Sequence, residues 1–409
     1  MMAQPAGAPS SDILPVRPRG IVLAVWALAA AVNLSAGVAI AFQPGRQSDL
    51  DSMRRWGTTW LGGTNPYLVE GEAPEYPPHA IVLLSPLGAT PASWIVPAWT
   101  FFNLGLAFSA SYLALRAVRP GITLPVAALP ILLFLCWGGF RTLLQFSLLS
   151  LTLGLWSMVL AEKRPLWSGL VLGLALLKPQ LAVPFALWML FTRRLRVAGW
   201  AVVTVLVGSA VFCVRVQADP LHLVVRYMDI LRRFYLGDAI LVGLSQLRPL
   251  IALAVSSTAR VDALAITIAL MVLGGVCIVG FREGRHGRLL RLGAPPLASV
   301  WSLLTFYHLT YGFILLLPTA ALLLFAGDPR TREFRRSVFW LLQFFLMFDV
   351  PGTWRRLGPV FDAPANVNAV VGHADRVLMI VLCACLFALA ARTRASDIVR
   401  VSDLPGSSA

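Results

Sequence analysis

The chain has 409 residues, of which 58% are hydrophobic and 13% are charged, and its mean hydropathy is +0.75. Soluble domains carry about 25% charged residues, so this composition excludes an ordinary soluble globule and predicts a polytopic membrane protein. The formal net charge of +15 does not indicate nucleic-acid binding, because the arginines are spread through short loops between apolar segments, as in membrane proteins with basic cytoplasmic loops.

The chain begins with a polar arm, residues 1–19, which we expect to be disordered and cytoplasmic because it carries Arg17 and Arg19. Residues 21–42 follow as an apolar segment long enough to cross a bilayer. This orientation places the first long polar stretch, residues 43–78, on the extracytoplasmic side. We interpret that stretch as the catalytic loop.

The next segment, residues 79–90, is apolar but short, and Pro86 and Pro91 interrupt it. A helix lying at the membrane interface is therefore favoured over a span. Further membrane crossings are predicted at residues 92–115, 121–138, 142–161, 197–216, 261–281, 292–310, 311–326, 337–348 and 373–392.

Three segments do not fit a simple crossing. Residues 166–192 are flanked on both sides by basic residues of the kind found in cytoplasmic loops. The segment is therefore expected to turn back as two short helices, with Lys178 at depth or near the outer face. Residues 219–238 place arginines among apolar residues, which predicts an amphipathic surface helix. Residues 239–257 are expected to be a re-entrant or outer-leaflet element, because a crossing there would place the basic residues between 282 and 291 outside.

The predicted fold is therefore all-α, with about twelve transmembrane helices, short extracytoplasmic loops and interfacial helices. It forms a single transmembrane domain over residues 20–394, followed by a cytoplasmic tail over residues 395–409. Both termini are expected to be cytoplasmic, in a multi-pass protein of the plasma membrane, with its active site extracytoplasmic.

Asp49 is the candidate general base, because it lies just beyond the first membrane segment and a base must reach the reacting hydroxyl. Arg141, Lys178 and His308 fall on the same predicted side and could bind a departing phosphate. Each has a structural alternative. Asp49 could begin a helix as its N-cap, with Asp51 as an equivalent candidate, Lys178 could be structurally paired, and His308 could be an interfacial histidine.

No cofactor and no metal are predicted. The five cysteines lie in or beside apolar segments without the spacing of zinc ligands or of a disulfide framework. Asp49 and Asp51 supply too few oxygen ligands for a dedicated divalent-cation site. We therefore expect activity without added cation.

Several motifs resemble glycosyltransferase family 87, the polyprenyl-phosphate-mannose-dependent mannosyltransferases and related arabinofuranosyltransferases of actinobacteria. The motifs are Asp49-Leu50, Gly63, Tyr67, Tyr76-Pro77-Pro78, Ser85-Pro86-Leu87, Gln145 with Ser147, Gly169 to Gly173, Leu177-Lys178-Pro179-Gln180, Leu244-Ser245-Gln246 and His308. The chain departs from the family pattern at Ser52-Met53, at Leu144 and at Tyr307, which replaces one histidine.

This resemblance implies a GT-C glycosyltransferase fold with Asp49 as the catalytic base and His308 as a second catalytic residue. It also implies a polyprenyl-phosphate sugar donor, a glycolipid or lipoglycan acceptor and a role in building the cell envelope. Gln145 joins Arg141 and Lys178 as candidates for binding the donor phosphate. Candidates for binding sugar and acceptor are Asp51, Trp60, Tyr67, Tyr76 and Tyr307.

Alternatives of other kinds stay open at this point. Mannose is the favoured sugar and arabinofuranose the alternative. A lipid or sugar transporter would also have about a dozen spans, but we would expect ionisable residues deep in several of them and symmetry between its halves. A scaffold subunit with an inactive site is a third possibility. Membrane lipids are expected partners in every case.

Overall fold

The structure is a computed structural model in which most of the described residues are helical and none is in a β-strand. The described residues are 20–42, 49–69, 73–118, 145–236, 247–284, 294–306, 310–325, 331–347, 371 and 374–392. Their helices are α1 (Gly20–Ala41), α2 (Asp49–Leu61), α3 (Pro78–Leu84), α4 (Pro86–Ala89), α5 (Ala92–Val118), α6 (Ser147–Leu160), α7 (Pro165–Ala175), α8 (Pro179–Phe191), α9 (Leu195–Val216), α10 (Pro220–Leu236), α11 (Leu247–Ala252), α12 (Thr258–Gly284), α13 (Ala294–Thr305), α14 (Leu317–Phe325), α15 (Arg332–Met347) and α16 (Ala374–Arg392). Short 3₁₀ helices occupy Pro66–Leu68 and Thr310–Leu316.

Three of the described helices are long and apolar enough to cross a membrane: Ser93–Arg116 within α5, Leu195–Val216, which is α9, and Ala259–Arg282 within α12. Their lengths of 22 to 24 residues correspond to about 33–36 Å, which exceeds a hydrocarbon thickness of about 30 Å. The predicted all-α membrane architecture is thus confirmed, while the count of about twelve spans stays a prediction.

The segment 166–192 forms two short helices, α7 and α8, as predicted. The helical path is interrupted at Lys178, whose backbone is extended (φ −126°, ψ 83°), and Pro179 begins α8. The interruption follows from the sequence, because a proline disfavours the α conformation in the residue before it and fits the first helical position.

The predicted interfacial segments are also helical. Residues 79–90 form the short pair α3 and α4, which is broken at Ser85 and Pro86. Residues 219–238 correspond to α10, a helix of 17 residues. The position of these helices relative to a bilayer stays a prediction.

Other segments differ from the sequence-based boundaries. Of the predicted span 337–348, residues 337–347 form the second part of α15, which begins at Arg332 in a charged turn that also contains Glu333. Of the predicted span 311–326, residues 311–316 are 3₁₀ helix and residues 317–325 form α14. Of residues 239–257 the structure describes only 247–257, including α11, and the predicted span 121–138 lies outside the described residues.

Two glycines bring α7 and α9 into direct contact. A Cβ atom added at Gly169 would lie 2.4 Å from Cβ of Trp200, and one added at Gly173 would lie 2.4 Å from Cβ of Thr204 and 2.8 Å from the Ala201 carbonyl oxygen. Small residues four positions apart permit this approach between apolar helices. The contact fixes the end of α7, beyond which Lys178 lies.

The far end of this helix pair is joined by an ion pair. Arg194 Nη2, in the turn before α9, lies 2.9 Å from Glu162 Oε1, in the turn before α7. These two turns were each predicted to be cytoplasmic, and the structure brings them together. The opposite end of α9 contacts α2, where Arg215 donates a hydrogen bond to the carbonyl of Leu61.

Candidate active site

Asp49 is the first residue of α2, and its carboxylate is held by two other parts of the chain. The hydroxyl of Tyr76 donates a hydrogen bond to Asp49 Oδ2 at 2.9 Å, and Lys178 Nζ lies 3.5 Å from the same oxygen. The carboxylate is therefore oriented through one oxygen. Its side chain keeps 25% of its surface exposed, so it is accessible to a substrate.

Lys178 lies at the break between α7 and α8, and its side chain is only 5% exposed. Besides its ion pair with Asp49, its ammonium lies 5.5 Å from the centroid of the Tyr76 ring, within cation–π range. A buried lysine is costly unless opposite charge or polarisable groups compensate for lost hydration. Asp49 and Tyr76 supply both.

The backbone of the break is held from α6. The Ser150 hydroxyl donates a hydrogen bond of 2.8 Å to the Ala175 carbonyl and lies 3.5 Å from the carbonyl of Lys178. Both carbonyls also accept backbone hydrogen bonds, that of Ala175 from the Lys178 N–H and that of Lys178 from the N–H groups of Leu181 and Ala182, so Ser150 adds a side-chain contact to this break. These contacts place Lys178 at a fixed point beside the catalytic loop.

Glu75 is a second carboxylate at this site, and the sequence interpretation missed it. Burial raises its pKa to about 7, with a further upward contribution from the charge of Asp49, while Lys178 opposes the shift. Below that pH the Glu75 carboxyl is protonated, so it adds no negative charge beside Asp49 and Lys178. The available signal was its position directly before the Tyr-Pro-Pro motif.

The loop that carries Glu75 and Tyr76 is fixed from behind by hydrogen bonds. The buried Tyr67 hydroxyl donates to the carbonyl of Tyr76, and the Tyr227 hydroxyl donates to the carbonyl of Glu75 at 3.4 Å. Arg226 Nε donates to the carbonyl of Tyr67 at 3.3 Å. Burial raises the pKa of Tyr67 well above its usual value, so the phenol stays a neutral donor. Tyr227 and Arg226, both on α10, were not among the predicted site residues.

Aromatic rings surround Tyr76 on its protein side. Its ring packs against Trp56 at 6.0 Å and against Phe146 at 5.8 Å between centroids. Trp60 stacks on Phe212 at 6.5 Å and is buried. Trp60 and Tyr67 thus pack within the core of the loop and support Tyr76, which is the aromatic residue that contacts Asp49.

Two further predicted residues lie nearby with different surroundings. Asp51 is two positions after Asp49, which is about 200° around the helix, so the two carboxylates leave α2 on opposite sides. Gln145 lies two residues before the first residue of α6, and its backbone carbonyl accepts a hydrogen bond of 3.3 Å from Asn103 Nδ2. Tyr76 and Lys178 contact the carboxylate of Asp49, on the other side of α2 from Asp51.

Three predicted site residues, Arg141, Tyr307 and His308, lie outside the described residues. Their proposed roles therefore stay predictions. A histidine within the described residues, His79 on α3, is buried beside Gly208 of α9. Burial lowers its pKa to about 4, so it is uncharged at neutral pH and does not supply a cation for phosphate.

The arrangement can accept a proton and stabilise negative charge at neighbouring points. The free oxygen of Asp49 can take a proton from a hydroxyl, and Lys178 supplies a fixed positive charge within the same cluster. Within the described part of the chain, no three His, Cys, Asp or Glu side chains converge as metal ligands. The absence of a metal requirement stays a prediction.

A family model described as glycosyltransferase family 87 matches residues 75–304, which is more than half of the 409-residue chain. The match begins at Glu75 and includes Tyr76 and Lys178. Neither a curated protein nor a solved structure matches the chain.

Proposed function

The chain belongs to glycosyltransferase family 87 and is a membrane glycosyltransferase, and we propose that it transfers mannose from a polyprenyl-phosphate donor to a glycolipid or lipoglycan acceptor. The reaction takes place at the outer face of the plasma membrane. The observation that carries this proposal is the Asp49 carboxylate, oriented by Tyr76 and paired with the buried Lys178.

Asp49 acts as the general base. It takes the proton of the acceptor hydroxyl as that oxygen attacks the anomeric carbon of the donor sugar. The bond between the anomeric carbon and the phosphate oxygen breaks, and its electron pair stays on the departing polyprenyl phosphate. Because a single displacement occurs opposite the leaving group, the anomeric configuration inverts.

Cations stabilise the phosphate as it gains negative charge. Lys178 is the cation that the contacts of Asp49 support, and Arg141, Gln145 and His308 complete the proposed phosphate-binding set. Asp51 and Tyr307 are the proposed contacts for sugar and acceptor. Tyr76 positions Asp49, and Trp60 and Tyr67 pack in the same aromatic core. The proposal includes no metal, because Lys178 can supply the positive charge that stabilises the departing phosphate.

The test is transfer of label from polyprenyl-phosphate-[¹⁴C]mannose to lipid in a membrane extract by the purified protein. Asp49→Asn is expected to lower the rate by about 10²–10⁴-fold, the range for loss of a general base. Asp262→Asn is the matched control, because Asp262 pairs with Arg248 and is not part of the Asp49 contacts. Full activity in a folded Asp49→Asn protein would refute the role of the base.

A comparison of two labelled donors identifies the sugar. Label supplied on polyprenyl-phosphate-mannose is expected to be transferred to lipid, and label supplied on the corresponding arabinofuranose donor is expected not to be. The reverse result would make the chain an arabinofuranosyltransferase. Movement of the donor across vesicles without transfer of its sugar would instead indicate a transporter and refute the proposed reaction.

A further inference from the structure

The helix α10 exposes an apolar surface that no described part of the chain covers. Four large apolar side chains, each 58–78% exposed, lie at positions three or four residues apart, which places them on one side of a helix: Leu221, Val224, Val225 and Met228. The opposite side is buried against the protein through Leu223 and Ile230. The exposed apolar side, called the α10 stripe, is therefore separate from the packing side.

The α10 stripe follows a candidate membrane span along the chain. On α9, which is one of the candidate spans, Leu206, Val207 and Val214 are 58–79% exposed. The helix ends at Gln217, whose left-handed conformation (φ 53°) turns the chain, and α10 begins at Pro220. The α10 stripe therefore begins at Leu221, five residues after the last residue of a candidate span.

The charged residues of α10 complement an anionic membrane surface. Between positions 220 and 233 the helix carries Arg226, Arg232 and Arg233 against the single acid Asp229, an excess of two positive charges. Arg232 and Arg233 are exposed. Exposed apolar residues combined with arginines are the composition of helices that lie in the headgroup region of a bilayer.

The packing side of α10 holds the catalytic loop. Arg226 donates to the carbonyl of Tyr67, and the adjacent Tyr227 donates to the carbonyl of Glu75. Tyr76, which orients Asp49, directly follows Glu75 in the chain. Two hydrogen bonds and the peptide unit between Glu75 and Tyr76 thus connect α10 to Asp49.

We propose that α10 docks on the bilayer leaflet nearest to Asp49, with its stripe among the acyl chains and with Arg232 and Arg233 against anionic headgroups. This docking holds Tyr67, Glu75 and Tyr76 in their active positions. The occupant of the stripe is lipid. A second copy of the chain or another protein would be the competing occupant. The docking does not depend on which sugar the enzyme transfers.

The first test has no enzymatic readout. A photoreactive benzophenone amino acid replaces Val225 in the full chain, which is reconstituted in vesicles of phosphatidylcholine and phosphatidylglycerol and irradiated. Mass spectrometry is expected to find phospholipid adducts. The same substitution at His222, which is exposed but outside the stripe, is the control and should give fewer adducts. Crosslinked dimers, or no lipid adducts at position 225, would overturn the proposal.

The second test measures the coupling to the site. Val225→Glu places a carboxylate in the acyl region and is expected to lower sugar transfer in the same vesicles by about tenfold or more, given the cost of a charge in hydrocarbon. His222→Glu adds the same charge to the same helix and is expected to retain transfer. Equal activity of both variants, in a wild-type preparation that transfers sugar, would overturn the coupling. A wild-type preparation without transfer would instead refute the proposed reaction.

Discussion

The hydroxyl of Tyr76 donates a hydrogen bond of 2.9 Å to the Asp49 carboxylate and thereby orients it. The same ring receives the Lys178 ammonium on its face. Removing only the hydroxyl separates these roles, because phenylalanine keeps the ring. Tyr76 is therefore a positioning residue whose contribution can be measured.

We expect Tyr76→Phe to lower kcat for sugar transfer by about ten- to a hundredfold, since a hydrogen bond to a charged group contributes about 1.5–3 kcal/mol. KM for the donor should stay nearly constant, because the hydroxyl orients the base and does not bind the sugar phosphate. Steady-state kinetics with labelled donor measures both constants. A parallel loss of donor affinity would show that Tyr76 binds the donor instead.

Glu75 makes the stability of the protein depend on pH. Its pKa is raised from 4.5 to about 7, so the folded protein binds the proton more tightly than the unfolded chain does. The stabilisation from Glu75 is complete below about pH 4.5 and is lost as the pH rises through about 7. The shift corresponds to about 1–3 kcal/mol after allowance for partial solvent exposure of the side chain.

Glu75→Gln should remove this contribution. The measurement is the thermal midpoint in detergent of the variant minus that of the wild type, at pH 8 and at pH 5. This difference is expected to be larger at pH 8. Glu333→Gln is the control, because the Glu333 side chain is 81% exposed, and it should change both midpoints alike. If the midpoint of Glu75→Gln differs from that of the wild type by the same amount at both pH values, the assignment of a raised pKa is contradicted.

At the scale of helices, the sequence predicted best where local chemistry determines the outcome. Pro179 after Lys178 gave the break between α7 and α8, and Pro86 gave the division between α3 and α4. Apolar length gave α5, α9 and α12. The 3₁₀ start of residues 310–316 was missed, because apolar composition does not distinguish an α-helix from a 3₁₀ helix.

The candidate site was predicted only in part, for a reason of distance along the chain. Asp49 and Lys178 were identified from their unusual positions beside apolar segments. Their ion pair joins residues far apart in sequence, and the hydrogen bond from Tyr76 to Asp49 spans 27 positions. No local pattern encodes such a contact. Glu75 and Tyr227 were missed because their roles exist only in the folded loop.

The glycines of α7 offer a direct test of helix packing. We expect Gly173→Ala to destabilise the protein by about 1–3 kcal/mol, the usual cost of overpacking, because the added methyl would meet Thr204 and the rigid carbonyl of Ala201. Loss of folded protein in a detergent thermal-unfolding assay measures the effect.

The matched control is Gly199→Ala on α9. A Cβ atom at Gly199 meets nothing within 4 Å, so the substitution should be neutral or should gain up to about 1 kcal/mol from helix propensity. Similar stability of the two variants would show that α7 and α9 can separate without cost.

At the scale of the whole molecule, α9 links the two ends of the protein. It begins beside the Glu162–Arg194 ion pair and ends where Arg215 meets Leu61 of α2, a length of 22 residues or about 33 Å. That length crosses a bilayer. We therefore expect the end of α9 that contacts α2 and the basic turns at its other end to lie on opposite sides of the membrane.

Single cysteines can test this orientation. Thr64 and Lys163 are both exposed, the first near the end of α2 and the second in the turn before α7. With a membrane-impermeant maleimide, Thr64→Cys should be labelled in intact cells and Lys163→Cys only after permeabilisation, because basic turns stay cytoplasmic. The wild type controls for native cysteines, of which those described are buried or half-buried. The reverse pattern would place Asp49 inside the cell, and labelling of both cysteines from one side would mean that α9 does not cross the membrane.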